Sequence, residues 1–232
     1  MAVISKRYWL AMVPLPLGLI MLPLVHSAGD DPGHLASAVA GWMLLLLVVL
    51  NVVAIIAGSL SRHFHSYLII AILSGVSAVS VVALGCLAGL IPVAVVWPVS
   101  VVFSAWAMFS TGLAKLLRPW GIEIAVVSGI TATTILIFSP IVVTPLLAML
   151  QHHGFDWPWL NSIAMNISPA IWLVDALATG LHYNWFIWFH APLMYQHVVL
   201  GQNILMPRLW PWWIPCMAAV IAGVLAAAWP GG

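Results

Sequence analysis

Stretches of about 20 residues with hardly a charge among them follow one another along this chain, and a run of that length and polarity spans the hydrocarbon core of a bilayer. Inside hydrocarbon no water is present to satisfy backbone N–H and C=O groups, so each such run must satisfy its own by forming a helix. The 232 residues include only six Lys or Arg and five Asp or Glu, so charged residues make up 5% of the chain. An ordinary soluble domain carries roughly 25%. So few charges cannot cover a water-facing surface. The expected fold is therefore all-α, a polytopic membrane helical bundle forming a single transmembrane domain over residues 1–232, with no linker long enough to hold a soluble one.

The punctuation between the apolar runs gives the expected spans. Six are read, at about 8–25, 35–59, 67–90, 93–113, 120–138 and 211–229. Pro14 and Pro16 interrupt the first run and no small-residue cleavage site follows it, so a retained helix is expected rather than a cleaved signal peptide. The third run, SGVSAVSVVALGCLAG, is rich in small residues that let helix backbones approach closely, which predicts a central position in the bundle. Past Phe138 the apolar sequence continues, but Pro140 and Pro145 predict one or two short half-helices there. Cys86 and Cys216 both fall inside apolar runs, so a disulfide framework is not expected.

Basic residues set the expected orientation. With the N-terminus in the cytoplasm, the anchors Lys6, Arg7, Lys115 and Arg118, together with Arg62, all fall inside, and only Arg208 falls outside. That is the positive-inside pattern of a multi-pass cell-membrane protein, and it suits a bacterial inner membrane with both termini cytoplasmic. The net charge of +1 gives no support for nucleic-acid binding.

Between the fifth and sixth spans lies an outer segment, 151–210, too apolar for a free loop. NISPAIWLVDALATGLH, with one charge, reads as a re-entrant helix; YNWFIWFHAPLMYQHVV carries an aromatic-rich face suited to the headgroup zone. The alternative is two further spans within 167–205, against which Asp175 and several Pro, Asn, Gln and His residues argue.

Chemistry-bearing residues are few. His182, His190 and His197 lie in the outer segment, and the last two, seven apart, would share a helix face on which copper, zinc or a haem iron can be held. Against that, His190 is followed by Ala-Pro, and interfacial histidines also suit the headgroup zone simply as amphipathic residues. Glu123 sits near the start of its span, where it can pair with Lys115 or Arg118 and where the helix dipole favours negative charge. Asp175 is the acid expected to lie deepest. No GxxxxGK[ST], GxSxG or HExxH motif is present.

From Phe103 onward the chain resembles the permease subunits of ABC-type exporters of the type-2 export superfamily. The resemblance is carried by FSAWAMFSTGLAKLLRP closing the fourth span, by GIEIAVVSGITATTILIFSPIVVTPLLAML as a fifth helix ending in half-helices, and by Ile167-Ser168-Pro169 on the outer side ahead of a last span. The first inner loop, SLSRHFHS, lacks the acidic residue and Gly-Thr pair of that family. The resemblance implies six spans and a subunit with no cofactor or catalytic activity of its own. It implies a dimer, or a hetero-oligomer in the bilayer, served by a separate ATPase subunit that holds the ATP. It assigns Arg62, His63 and His65 to contact with that ATPase, and Ser168, Pro169, Asp175 and His182 to an outer gate or substrate path. The other functional classes are a redox or metal-handling subunit holding haem or copper, and a structural subunit of a larger respiratory-type or oxidase complex.

Overall fold

The structure is a computed structural model that describes residues 6–26, 32–61, 63–153, 158–180 and 210–229. Among these residues every regular element is helical: α1 (Lys6–Ala11), α2 (Pro14–His26), α3 (Pro32–Ser59), α4 (Phe64–Leu87), α5 (Val93–Leu117), a 3₁₀ turn (Arg118–Trp120), α6 (Ile122–His152), α7 (Pro158–Ile167), α8 (Pro169–Gly180) and α9 (Trp213–Ala228). Four helical stretches are long and apolar enough to cross a membrane, Gly41–Ser59, Phe64–Leu87, Val93–Trp120 and Ile122–Pro140. Tyr8–Ile20 and Trp213–Ala228 are shorter apolar segments. The chain is thus an apolar helical bundle compatible with a membrane protein.

Short turns make consecutive long helices antiparallel. Gly89, with φ 75°, follows α4, and Gly121, with φ 116°, follows the 3₁₀ turn; both backbones adopt a conformation that side chains with a Cβ resist. The helix at the centre is α5, which packs against α3, α4, α6, α8 and α9. The sequence pointed to the small-residue helix α4 instead. Its small residues do face inward, Gly75 lying against Ser104 of α5, but Ile69, Ile72 and Val76 are exposed. The small residues of α4 meet α5 at Gly75, α3 at Gly85 and α1 at Ser77, while its remaining face is uncovered.

The first span is not the continuous helix over 8–25 that its apolar run predicts. It breaks between α1 and α2, where Met12 and Val13 make tighter turn-type bonds to the carbonyls of Trp9 and Leu10. Pro14 and Pro16 bring no N–H, so carbonyls one turn back are released. The carbonyls of Leu10 and Met12 are taken by the N–H groups of Val13 and Leu15, and the Ala11 carbonyl at the break accepts the Ser77 hydroxyl of α4 at 3.2 Å. A neighbouring helix supplies the hydrogen bond that the broken one lost.

α6 departs from expectation in the opposite sense. Rather than stopping near 138 and continuing as half-helices, it runs unbroken through Pro140 and Pro145 to His152. The carbonyl of Leu136, which Pro140 leaves without a helical donor, lies 3.0 Å from the Ser139 hydroxyl. With that carbonyl served, the proline is tolerated without ending the helix.

Deep in the bundle, three helices share one polar knot. Asn51 of α3 donates through Nδ2 to the Thr133 hydroxyl of α6 at 2.8 Å and accepts the Ser110 hydroxyl of α5 at 2.9 Å. All three side chains are fully buried. Thr133 in turn reaches the Gly129 carbonyl at 2.7 Å. In surroundings with no water such bonds hold helices in register, each contributing about 0.6 kcal/mol and up to about 1.7.

Candidate functional site

The most unusual local structure begins where α6 passes α7 and α8. Pro169 opens α8, the helical position that tolerates a missing N–H best. Ser168, just before it, stands where a hydroxyl ordinarily caps its own helix. Here the Ser168 hydroxyl is turned away and donates to the Ile137 carbonyl of α6 at 2.8 Å. The Ser139 hydroxyl lies 3.0 Å from the Ala164 carbonyl of α7 as well as from its own-helix acceptor. Two serines thereby tie the α7–α8 junction to the proline region of α6.

From Ser168 to Leu177 every residue is buried except Asp175, which is half-buried. A helix apolar on all sides and covered on all sides sits within the protein rather than on its surface. α8 packs against α5, α3 and α6, and Trp172, Leu173 and Leu177 belong to the main core. Its 12 residues span about 18 Å, well short of the roughly 30 Å of hydrocarbon.

The polar groups of α7 and α8 are directed at the start of the last helix. Asn166 accepts the Trp210 backbone N–H at 2.6 Å through Oδ1 and donates to the Ser162 carbonyl at 2.8 Å through Nδ2. The Asp175 carboxylate accepts the Trp212 N–H at 3.0 Å. Trp212 is the N-cap of α9, and α9 has no side-chain cap of its own. The carboxylate thus satisfies a helix-end donor with no helical acceptor and stands at the positive end of the helix dipole. The Trp172 indole adds a bond to the Asn166 carbonyl at 2.7 Å.

Next to this clamp lies a pocket of about 290 Å³ between α5, α6, the α7–α8 pair and α9. Its walls are aromatic and apolar, with Trp106, Phe109, Trp172 and Trp210 the large side chains. Trp106 stacks on Phe109 at 5.1 Å between ring centroids and meets Trp172 edge-on at 5.9 Å. Trp106 is 1% exposed, and its indole N–H has no hydrogen-bond partner.

At the far end of the bundle the basic anchors collect. Lys115 of α5 donates to the Ala227 carbonyl in the last turn of α9, and its ammonium lies 5.6 Å from the centroid of the Phe64 ring at the start of α4. α5 and α9 therefore end on the same side. α1 packs there too, Ala11 clustering with Ala57 near the end of α3 and with Ile70 of α4. His63, the N-cap of α4, and His65 in its first turn are exposed beside it, and Arg118 closes α5. Glu123 is exposed in the first turn of α6, and among the described residues no ion pair joins it to Lys115 or Arg118.

Of the residues singled out from the sequence, Ser168 and Pro169 form the α7–α8 junction against α6 and Asp175 lies farther along α8 at the start of α9, while His63, His65, Lys115 and Arg118 gather at the opposite end. Lys6 and Arg7 belong to α1. Arg62, His182, His190 and His197 lie outside the described residues, and so does the haem or copper reading that rests on the last three. Among the described residues no three His, Cys, Asp or Glu side chains converge as a metal site. Cys86 and Cys216 are free thiols.

Asn51 belongs to no motif in the sequence, and Asn166 stands out there only as the first residue of Asn166-Ile-Ser168, a glycosylation-acceptor pattern common by chance. Each leaves a readable signal, a lone amide within or beside a strongly apolar run. No family model, characterised protein or solved structure matches this chain.

Proposed function

We infer that the chain is the membrane subunit of an ABC-type exporter, moving a substrate with energy supplied by a separate ATPase. The observation that carries this reading is the order of elements at the C-terminal half. Among the described residues a long apolar helix, α6, is followed by a short half-exposed helix packed against it, α7, by a short buried helix, α8, and by a last apolar helix, α9. Between those helices the Ser168–Pro169 junction is bonded back to α6. A half-exposed helix followed by a buried one in that place serves as a re-entrant outer element, and its tie to the start of α9 through Asn166 and Asp175 couples it to the last span. In this reading α1–α2 and α9 complete six spans, and the end carrying Lys115 and Arg118 faces the cytoplasm of a bacterial inner membrane. The exposed His63 and His65 turn, with Arg62, then meets the ATPase, two copies of the chain enclose the path, and Ser168, Pro169, Asp175 and His182 belong to its outer gate.

Native purification tests this directly. The expected result is a co-purifying nucleotide-binding protein whose ATP hydrolysis rises when the chain is added in a bilayer and falls when His63 and His65 are replaced by Glu. A complex lacking any nucleotide-binding protein, with hydrolysis unaffected by the chain, removes the exporter reading.

A further inference from the structure

We propose that Arg118, with Lys115 beside it, holds the phosphate of an anionic phospholipid at the edge of the bundle where α5 turns into α6. Depth in the bilayer is the first consideration. Trp9, Trp120 and Trp229 are each more than half exposed at the basic end of the bundle, as Trp97 and Trp213 are at the other. Exposed tryptophans gather at headgroup level, where an apolar ring with a polar edge is best placed. Along α5 and the 3₁₀ turn, Trp97 and Trp120 are roughly 34 Å apart at about 1.5 Å per residue, against the roughly 30 Å of hydrocarbon. Arg118 opens the short turn that ends at Trp120, so it lies at the level of lipid phosphates rather than among acyl chains.

The Arg118 guanidinium is held but not satisfied. Its Nε is sealed from solvent and has no hydrogen-bond partner, so the side chain lies against the protein rather than trailing in water. Its Nη groups are neither sealed nor hydrogen-bonded among the described residues, and no ion pair engages them there. Contact with a ligand falls to these groups, whose planar fork matches two oxygens of a phosphate. Lys115 is the neighbour one turn back on α5, and like charges so placed repel. Its ammonium is engaged by the Ala227 carbonyl and stands over the Phe64 ring, so it adds charge to the site from a fixed seat. A phosphate oxyanion relieves the repulsion and meets the open donors together.

The balance of charge selects the lipid. Lys6 and Arg7 are carried by α1, which packs at the same end, and among the described residues the acid there is Glu123 in the first turn of α6. That excess of cations favours a headgroup of net negative charge over a zwitterionic one, whose own ammonium is repelled. A free phosphate ion shares the recognition chemistry. It brings no acyl chains, however, to lie against the exposed Ile122 and Ile124 next to the site. The site stands apart from the exporter reading and requires no ATPase.

The test is native mass spectrometry of the full chain in a neutral detergent, titrated with dioleoylphosphatidylglycerol, dioleoylphosphatidylcholine or inorganic phosphate. Phosphatidylglycerol is expected to be retained at concentrations where phosphatidylcholine is not. Arg118→Gln is expected to weaken that retention about fivefold, the equivalent of one cation at an anionic surface. Glu123→Gln, at an exposed position, removes a repelling charge and is expected to strengthen it about twofold. Helical content and elution volume of each variant establish that it is folded. Because Glu123 lies outside the core, the test survives an Arg118 variant that fails to fold. Equal retention of the two lipids, or phosphatidylglycerol retention unchanged by either substitution, overturns the proposal. Displacement of phosphatidylglycerol by inorganic phosphate overturns it too, since the site would then take a free anion.

Discussion

α5 and α9 meet in two different ways along their shared length. At the end near Lys115 their backbones are in direct contact. A Cβ on Gly223 would stand 2.5 Å from the Met108 carbonyl oxygen, and one on Gly112 would run into the Gly223 carbonyl. At the other end the same helices hold a pocket walled by rings, and α9 is fixed by hydrogen bonds to its N-terminal N–H groups. One end is held by shape and the other by polar contacts around a space. In lipid there is no hydrophobic drive to press two helices together, so association depends on close packing and hydrogen bonds. The packed end therefore serves cohesion, and the open end is where a ligand or a conformational change is affordable.

The largest effect that tests this contrast is expected at the packed end. Gly112→Val should cost about 3 kcal/mol or more, because backbone rather than a pliable side chain stands in the way. Its signature is loss of folded protein from a thermal-unfolding series in detergent. Near-native stability would show that the two helices have slack the glycine contact does not suggest. At the open end, Asp175→Ala strips the acceptor from the Trp212 N–H and is expected to cost about 2 kcal/mol, the range for a bond to a charged group. Hydrogen exchange should then rise at the start of α9 and stay slow near Gly223. Uniform loosening along α9 would erase the distinction between the two ends.

Smaller effects bracket the comparison. Lys115→Met removes the donor to the Ala227 carbonyl and should cost about 1 kcal/mol, read as a lower unfolding midpoint with hydrogen exchange at the start of α9 unchanged. Gly41 of α3 is the control glycine, since a Cβ there meets nothing within 4 Å. Gly41→Ala should therefore stabilise slightly, by about 0.5–1 kcal/mol, through the better helix propensity of alanine. Destabilisation by Gly41→Ala would show that the helix faces are covered differently from the arrangement described.

How far the sequence speaks depends on whether the interaction is local. α3, α4 and α5 fall close to their expected bounds, because apolar run length and the residues of the turns at Gly89 and Gly121 are local properties. Proline misled in both directions. Pro14 opens a new helix at a break where Ser77, 66 positions from Ala11, bonds a carbonyl, whereas Pro140 lies inside an unbroken helix and the Leu136 carbonyl it frees is served by Ser139, three residues on. The site was partly legible: Ser168, Pro169 and Asp175 stood out, but nothing in NISPAIWLVDAL says that Asp175 holds the start of α9. That bond joins positions 37 apart, across residues whose spacing carries no helical period. The Asn51–Ser110–Thr133 knot spans 59 and 82 positions and was equally beyond reach.

The lysine that reaches the end of the last helix also says something about how the molecule is made. Lys115 and Ala227 are 112 positions apart, so the carbonyl that Lys115 grips is synthesised long after α5 has been threaded into the bilayer. In the finished fold α9 fills the backbone groove at Gly112, and the Lys115 ammonium lies beside the Phe64 ring as well as the Ala227 carbonyl. α9, at 16 residues, is short for a self-sufficient membrane segment, and it enters a seat already formed. The last helix thus completes contacts whose other half, at Gly112 and Lys115, is set more than a hundred residues earlier in the chain.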